Sequence, residues 1–573
     1  LRIFDLQLKF SNQFSNQQKH STVISLLLLL VWVGLGLAIR LFNLELKPPA
    51  SIEIATIGYS LGHGFKQIPL DRVIDLDTLL APLRLDTAIG YPEVFRRLVE
   101  ESTHPPLYFW LTRWWADFWL KDGDLVSLQV ARSLSAVFGT LAIPGIFALG
   151  WMAFRSRLVA HLAAMLMAFS PYGVYLAQEA RHYTLTVLWV IASLACLVES
   201  IRLIRQQRSL PLWLSLVWIV VNGLGIATHY FFVLALGAQA IAVVFFWLVI
   251  RDPQPVRYLR GLSLAGVGTL ATALVWLPMA RSVAGNEMTT WIATSYELGD
   301  VFLPIPRLLV WMITMVMLLP IEGVSKVVVI GSGVIVLGVL IWAMPILVRQ
   351  WRRAIANSPT RLPMIILTGY LVGSLIMFLG LIYGLGKDAS LAARYHFGYF
   401  PAWILLVAVA LANCRLNTTF NTITQNKVVT VILIMGLLGS LTVVNDFGFK
   451  KSLHSDALAT YIQQTSNGPI LVAITHQTHS EIRELVALAY SFKRLELPQS
   501  ATPQFMLVSD NQYGQDQFAS VVNRLMANQP QPLNLVGVNL DLEDDILPQL
   551  GCNQDETKNL ADSGYRDRFY LCN

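Results

Sequence analysis

At 573 residues, with 55% hydrophobic and 14% charged side chains, the chain is too apolar for a water-soluble globular protein, whose charged fraction is nearer a quarter. Its net charge of +6 is unevenly spread: residues 446–573 carry 15 acidic and 9 basic side chains, which leaves about +12 on the remainder. That excess suits lipid headgroups and membrane topology, and no basic soluble stretch interleaved with stacking aromatics points to nucleic acid.

In chain order, residues 1–21 read as a cytoplasmic tail and the apolar run at 22–40 as an uncleaved anchor. The run is long enough to span, and no small-x-small cleavage site follows it. Further charge-poor runs lie at 133–154, 158–178, 183–199, 210–228, 229–250, 261–280, 327–348, 362–386, 396–412 and 428–445. Two shorter runs, 106–120 and 308–321, are interrupted or bounded by charge and read as spans, half-inserted helices or interfacial segments. The expectation is an α-helical polytopic membrane protein with 11 to 13 transmembrane helices in residues 22–445. No fixed-period repeat is visible, which weakens a reading as duplicated transporter halves.

Basic residues gather before the first span, at Arg155 and Arg157, and at 202–208, 251–260 and 349–361, so those loops are expected in the cytoplasm. The loop 43–105, the 178–183 turn, the 281–307 loop and everything after Asn445 are then expected outside. Roughly sixty residues is long for a connection between spans, and long loops of this kind are usually functional. Within it, Ile54, Ile57 and Leu61 recur at helical spacing after Glu53, predicting a short helix along the membrane surface with Glu53 at the water boundary. Asp71, Asp75 and Asp77 read as solvated loop carboxylates.

After Asn445 the texture becomes soluble. Strands are predicted at 469–475, 505–509 and 533–540, and helices at 480–492 and 517–526, so residues 446–573 form a small C-terminal α/β domain. Cys552 and Cys572 bracket its polar end, either as a disulfide in an oxidising compartment or as two free thiols; Cys196 and Cys414 lie in apolar spans as packing residues. The domain lacks a glycine-rich phosphate loop and metal-ligand spacing, and reads as a lid or binding platform.

Polar residues beside apolar spans are the informative ones, because charge near a bilayer is costly. Gln178-Glu179-Ala180-Arg181-His182-Tyr183 is the densest such cluster. An Arg beside a His at a span end suits a phosphate, whose oxygens match the guanidinium fork, while a Glu179–Arg181 structural pair is the plainer alternative. Arg394-Tyr395-His396 repeats the Arg-aromatic theme, as a second anion contact or as an interfacial anchor. His104-Pro105-Pro106 starts the next apolar segment with a rigid turn. His104 is either a packing residue or a ligand, and His229 is read the same way. Glu53, His104 and Glu179 offer donors for a divalent cation without any tight ligand spacing.

The long first outside loop with an acidic residue, followed by His104-Pro105-Pro106-Leu107-Tyr108, Glu179-Ala180-Arg181-His182-Tyr183 and a late Arg394-Tyr395, resembles the glycosyltransferase family 39 group. These are GT-C fold membrane enzymes related to protein mannosyltransferases and to the aminoarabinose transferase of lipid A. The resemblance covers residues 22–445. It implies a bacterial inner-membrane enzyme that moves a sugar from a polyprenyl-phosphate donor to an acceptor hydroxyl on a glycan, lipid or protein, at the outer face and with inversion. Glu53 would then be the catalytic base. His104, Glu179, Arg181, His182, Tyr183, Arg394 and Tyr395 would bind substrate, and Glu53 with His104 would hold a divalent cation if one is used. The loop of that group usually carries an adjacent Asp-Glu pair, with the Asp held to be catalytic, whereas this chain reads Ile52-Glu53. Two other functions stay in view: a lipid-linked glycan transporter or flippase, and a catalytically inactive relative that binds lipid-linked sugar.

Overall fold

The computed structural model describes residues 2–250, 256–283, 292–293, 300–416, 422–449, 453–498, 502–528, 532–543, 545–558, 560 and 563–573. The chain divides into two compact units. The first comprises Leu1–Leu44, Ser135–Arg281 and Trp291–Phe449; the second comprises Glu45–Leu134, Ser282–Thr290 and Lys450–Asn573.

The first unit is helical. Seven described helices are long and apolar enough to cross a bilayer, among them Thr22–Leu41, Tyr183–Arg205, Lys326–Ala356 and Asn426–Val444, and one bent pair makes an eighth. Shorter apolar helices lie at Leu212–Thr228, Pro304–Thr314 and Phe400–Leu416. This is a multi-pass membrane architecture. Its core is a continuous set of aliphatic and aromatic side chains from Ala142 to Met435. Polar side chains join helices inside it: Ser193 Oγ donates to Asn222 Oδ1 at 2.6 Å and accepts from Gln239 Nε2 at 2.8 Å and Trp218 Nε1 at 3.1 Å. Asn222 Nδ2 in turn donates to Thr269 at 3.0 Å, so the network reaches four helices.

The span expected over 158–178 is broken. Helix Arg157–Ala168 stops, and Pro171–Ala177 restarts at 55° to it. The cause is local: Pro171 cannot continue the ladder but suits a first helical position, and the Ser170 hydroxyl caps the new turn by accepting from Gly173 N–H at 3.0 Å. The stranded carbonyls of Met167 and Ala168 are met by the buried Arg40 guanidinium at 2.9 and 3.1 Å, a cation at a helix carboxyl end. Gly439 of the late span passes this break so closely that a Cβ there would lie 2.5 Å from Pro171 and 2.8 Å from the Leu318 backbone.

The second unit combines the long loop with the terminal segment. Its six strands are β1 Val73–Ile74, β2 Ile470–His476, β3 Gln504–Ser509, β4 Leu533–Val538, β5 Cys552–Gln554 and β6 Asp567–Cys572, in the order β1-β3-β2-β4-β6-β5. The centre is parallel, with Val472 opposite Phe505 and Leu471 opposite Leu535, and the rims are antiparallel. Helices His479–Arg494 and Gln512–Ala527 make the crossovers, as the alternation of patterns predicts. Cys552 and Cys572 sit opposite each other on β5 and β6 and are disulfide-bonded.

Two expectations for the loop are overturned. Asp71 is not a solvated carboxylate: it accepts from the Ser509 N–H at 2.7 Å and hydroxyl at 2.6 Å, and its own N–H donates to Leu507 O, which pins β1 to β3. The helix after Glu53, Ser51–Ser60, does not lie along a surface either. Ile54, Ile57 and Leu61 are buried, and so is every residue from Glu53 to Ser60, because the helix packs against both Leu107–Trp119 and His479–Arg494. Apolar spacing alone could not tell a lipid from a protein neighbour.

Candidate functional site

In the second unit, Glu53 is 0% exposed and faces Arg132, also 0% exposed. Arg132 Nε donates to Oε1 and its Nη2 to Oε2, both at 2.8 Å, while the Ala50 N–H donates to Oε2 at 3.1 Å. The same guanidinium reaches Lys47 O at 2.9 Å and Pro48 O at 3.1 Å. This forked geometry ties residues 47–53 to the start of helix Leu128–Phe154 and satisfies both carboxylate oxygens. Sequence reasoning missed Arg132, although its place one residue before a predicted span was a signal.

His104 is half-buried, its Nδ1 3.3 Å from Ser102 Oγ and its ring against Phe109. Glu101, three residues earlier, is a buried carboxylate that sequence reasoning also passed over. It accepts from the Phe65 N–H at 2.9 Å and the Lys66 N–H at 3.4 Å, closing the loop on itself. Among the described residues no group of three or more His, Cys, Asp or Glu side chains could hold a metal ion. With both Glu53 oxygens already taken by Arg132, the donor set expected for a divalent cation at Glu53 and His104 does not fit one.

The first unit brings together residues far apart in sequence. Glu179, Arg181, His182 and Tyr183 are all buried, at the turn between Pro171–Ala177 and Tyr183–Arg205. Ser135 fixes this turn, its hydroxyl donating to Arg181 O at 2.9 Å and accepting from Arg181 N–H at 3.3 Å. Gln178 anchors it to the end of the first span by donating to Phe42 O at 2.8 Å. The His229 ring stands 4.5 Å from His182, 6.0 Å from Tyr183 and 6.5 Å from Tyr395, and Phe397 stacks on Tyr183 at 6.4 Å. Arg181 lies 5.6 Å over the Tyr183 ring and Arg394 5.2 Å over Tyr395. Both guanidinium groups are close enough to Tyr183 and to His229 to act on them electrostatically, and Glu179 acts likewise on Arg394. Glu179 is hydrogen-bonded by Tyr175, while its Oε2 has no hydrogen-bond partner among the described residues.

The Arg394 segment is held from the side. Arg307 Nη1 donates to Asp388 Oδ2 at 3.0 Å, Asp388 Oδ1 accepts from the Ser390 N–H at 2.9 Å, and Trp311 Nε1 donates to Ser390 O at 2.8 Å. His396, next to Arg394, is a buried core residue between the rings of Trp311 and Phe378, with Nδ1 3.0 Å from Tyr399 Oη. The first unit therefore gathers six of the expected substrate-binding residues, Glu179, Arg181, His182, Tyr183, Arg394 and Tyr395, and adds His229. Glu53 and His104 belong to the second unit.

A chain of known structure shares this architecture. ArnT from Cupriavidus metallidurans bound to undecaprenyl phosphate matches with a TM-score of 0.50 at 14% identity, over 96% of this chain and 98% of that one. The same protein in the apo state gives 0.50 and 14%, over 97% and 98%. The Archaeoglobus fulgidus oligosaccharyltransferase in complex with Zn and sulfate gives 0.46 and 13%, over 89% of this chain and 68% of that one. No family model matches the chain, and neither does any curated protein. The fold is thus the GT-C fold of membrane glycosyltransferases, as the sequence motifs implied.

Proposed function

We propose that this protein transfers a sugar from a polyprenyl-phosphate donor to an acceptor hydroxyl, at the outer face of the membrane and with inversion at the anomeric carbon. The observation that carries the reading is the pairing of Arg181 and Arg394 around one set of aromatic rings, in a fold shared with a protein crystallised with undecaprenyl phosphate. Two guanidinium groups suit a lipid phosphate, and they matter most as charge builds on the departing phosphate oxygen. The acceptor oxygen attacks the anomeric carbon opposite the phosphate. The carbon–oxygen bond to phosphate breaks with its electron pair leaving on phosphate, and the acceptor proton passes to a carboxylate.

Glu179 is the better base. One of its oxygens has no hydrogen-bond partner among the described residues, whereas both oxygens of Glu53 accept from Arg132. Glu53 becomes the anchor that shapes the start of the loop. The reading is tested by transfer of a labelled sugar from polyprenyl-phosphate donors to membrane-lipid extracts by the purified protein, together with donor binding. Arg181→Lys or Arg394→Lys, which keep charge but lose the planar fork, should each weaken donor binding by about 1–3 kcal/mol. Ile52 in place of the usual Asp favours a second reading, a relative that binds lipid-linked sugar without transferring it. Arginine-dependent donor binding with no transfer would select that reading, and absence of donor binding would reject both.

A further inference from the structure

The sheet of the second unit reverses its strand order at β2. β3 and β4 flank β2 on opposite sides, so their right-handed crossovers put His479–Arg494 on one face and Gln512–Ala527 on the other. Phe518, Val521 and Val522 of the latter helix pack accordingly on Leu471 and Ala473. In open α/β sheets ligands bind outside the carboxyl ends of the strands at such a reversal, here between β2 and β4. The side chains gathered there are acidic and incompletely satisfied. Glu484, on the helix that follows β2, is half-buried and makes two long bonds: Oε1 accepts from Ser480 Oγ and Oε2 from Asn539 Nδ2, both at 3.3 Å. Asn539 is the first residue after β4, and its Oδ1 accepts from the Arg566 N–H at 3.0 Å. Tyr565, next in chain to Arg566, is 8% exposed, and its hydroxyl is buried with no hydrogen-bond partner among the described residues. The charges of Glu484 and Asp456 both act on that hydroxyl, and Asp456 Oδ1 likewise has no partner among the described residues. Neighbouring charges are committed elsewhere. Glu481 caps its helix, accepting from the Thr478 N–H at 2.6 Å and hydroxyl at 2.8 Å, and Arg483, whose charge reaches Glu484, donates from Nε to His479 O at 3.0 Å.

We propose that Glu484, Tyr565 and Asp456 form a binding site for the primary ammonium group of an organic amine. An ammonium has N–H donors on every side and no acceptor, which matches a set of oxygens that lack short bonds. It donates to Glu484 and to the Tyr565 hydroxyl, and the Asp456 carboxylate stands by as a second counter-charge. Burial, with the Glu481 charge, makes ionised Glu484 costly, and a bound cation offsets that cost. An organic cation suits the spacing better than a metal ion, because among the described residues no three His, Cys, Asp or Glu side chains converge closely enough to coordinate one. Half-buried Glu484 and Asp456 leave the site open to solvent on one side. The same ammonium chemistry is offered by a small soluble polyamine and by the headgroup of phosphatidylethanolamine.

Ligand-dependent melting of the full chain tests the site. The protein is held in phosphatidylcholine nanodiscs and phosphate buffer, neither of which carries a primary amine, and is melted with increasing cadaverine. Choline, a cation without N–H donors, and sodium chloride at matched ionic strength are the controls. A second preparation replaces part of the phosphatidylcholine with phosphatidylethanolamine. The melting temperature should rise with cadaverine if the amine is soluble, and with phosphatidylethanolamine if it is a lipid headgroup, while choline and sodium leave it unchanged. Glu484→Gln should weaken the effective amine, read as the concentration at half-maximal shift, by roughly ten- to a hundredfold, as for a lost charge-assisted bond. Tyr565→Phe should weaken it less. Glu484→Gln removes a buried charge and Tyr565→Phe a single unpartnered oxygen, so both variants should fold. No rise with either amine would overturn the proposal and leave water at these oxygens. An equal rise with choline or sodium would overturn it in favour of general screening, and so would an amine response that both variants retain in full.

Discussion

At the scale of single residues, the Glu53–Arg132 pair separates a structural from a catalytic carboxylate. Both side chains are fully buried, and removing one partner strands the other charge away from water. Glu53→Gln should therefore destabilise the protein by about 3–5 kcal/mol, visible as a lower melting temperature of the purified protein. Glu53→Leu combined with Arg132→Met should recover part of that loss, since the stranded charge is gone. An unchanged melting temperature with turnover abolished would return the base role to Glu53. Glu179→Gln should behave oppositely, cutting turnover by roughly 10² to 10⁴ with donor binding largely retained. Arg181 and Arg394 stood out in the sequence because charge beside an apolar span is costly, and the fold brings both to one set of rings. Arg132 carried the same span-end signal, but its partner Glu53 lies 79 residues away across a contact that no local pattern encodes.

Among elements, hydrophobic periodicity marked β2, β3, β4 and both crossover helices of the second unit to within about five residues, and it missed the six-residue β6 beside β4. β1 escaped it: two residues carry no period, and their strand character comes from pairing with β3 through Asp71 and Ser509. Asp71→Ala should release that pairing, read as faster hydrogen exchange at Val73 and Met506 with the central strands unchanged. The broken span over 158–178 was likewise hidden by a continuous apolar composition, although Ser170-Pro171 is a helix-start signal in its midst. A pH effect belongs to helix His479–Arg494. Burial, reinforced by the nearby Glu481 charge, raises the Glu484 carboxyl above the usual range despite bonds from Ser480 and Asn539. A carboxyl raised on folding favours the folded state when protonated, so its contribution is present below the ordinary glutamate range and is lost as pH rises through the raised value. Glu484→Gln should melt higher than the parent at pH 7, with the difference shrinking as pH falls towards 4; a gap that widens on acidification would refute this sign.

For the whole molecule, the sequence reading divided the chain by texture at residue 446, whereas packing groups the loop with the terminal segment. Texture reports what solvent each stretch tolerates, and packing reports its neighbours, so the two divisions differ where a loop and a tail share a sheet. One shared sheet makes topology testable at a single place, because β1 and the disulfide between β5 and β6 belong to the same unit. If the basic loops are cytoplasmic, this unit faces an oxidising compartment, where such a bond forms and persists. In intact cells stripped of any outer barrier, a membrane-impermeant maleimide should label nothing at first. After a membrane-impermeant reductant it should label Cys552 and Cys572, while the buried Cys196 and Cys414 stay silent. Loss of the bond through Cys552→Ser and Cys572→Ser should also cost about 2–5 kcal/mol, because it closes a chain loop and lies in the core of the sheet. Labelling that requires permeabilised membranes, or that appears without reductant, would place the sheet in the cytoplasm or leave the thiols unpaired, and either result would withdraw the outer-face assignment from the loop that carries Glu53.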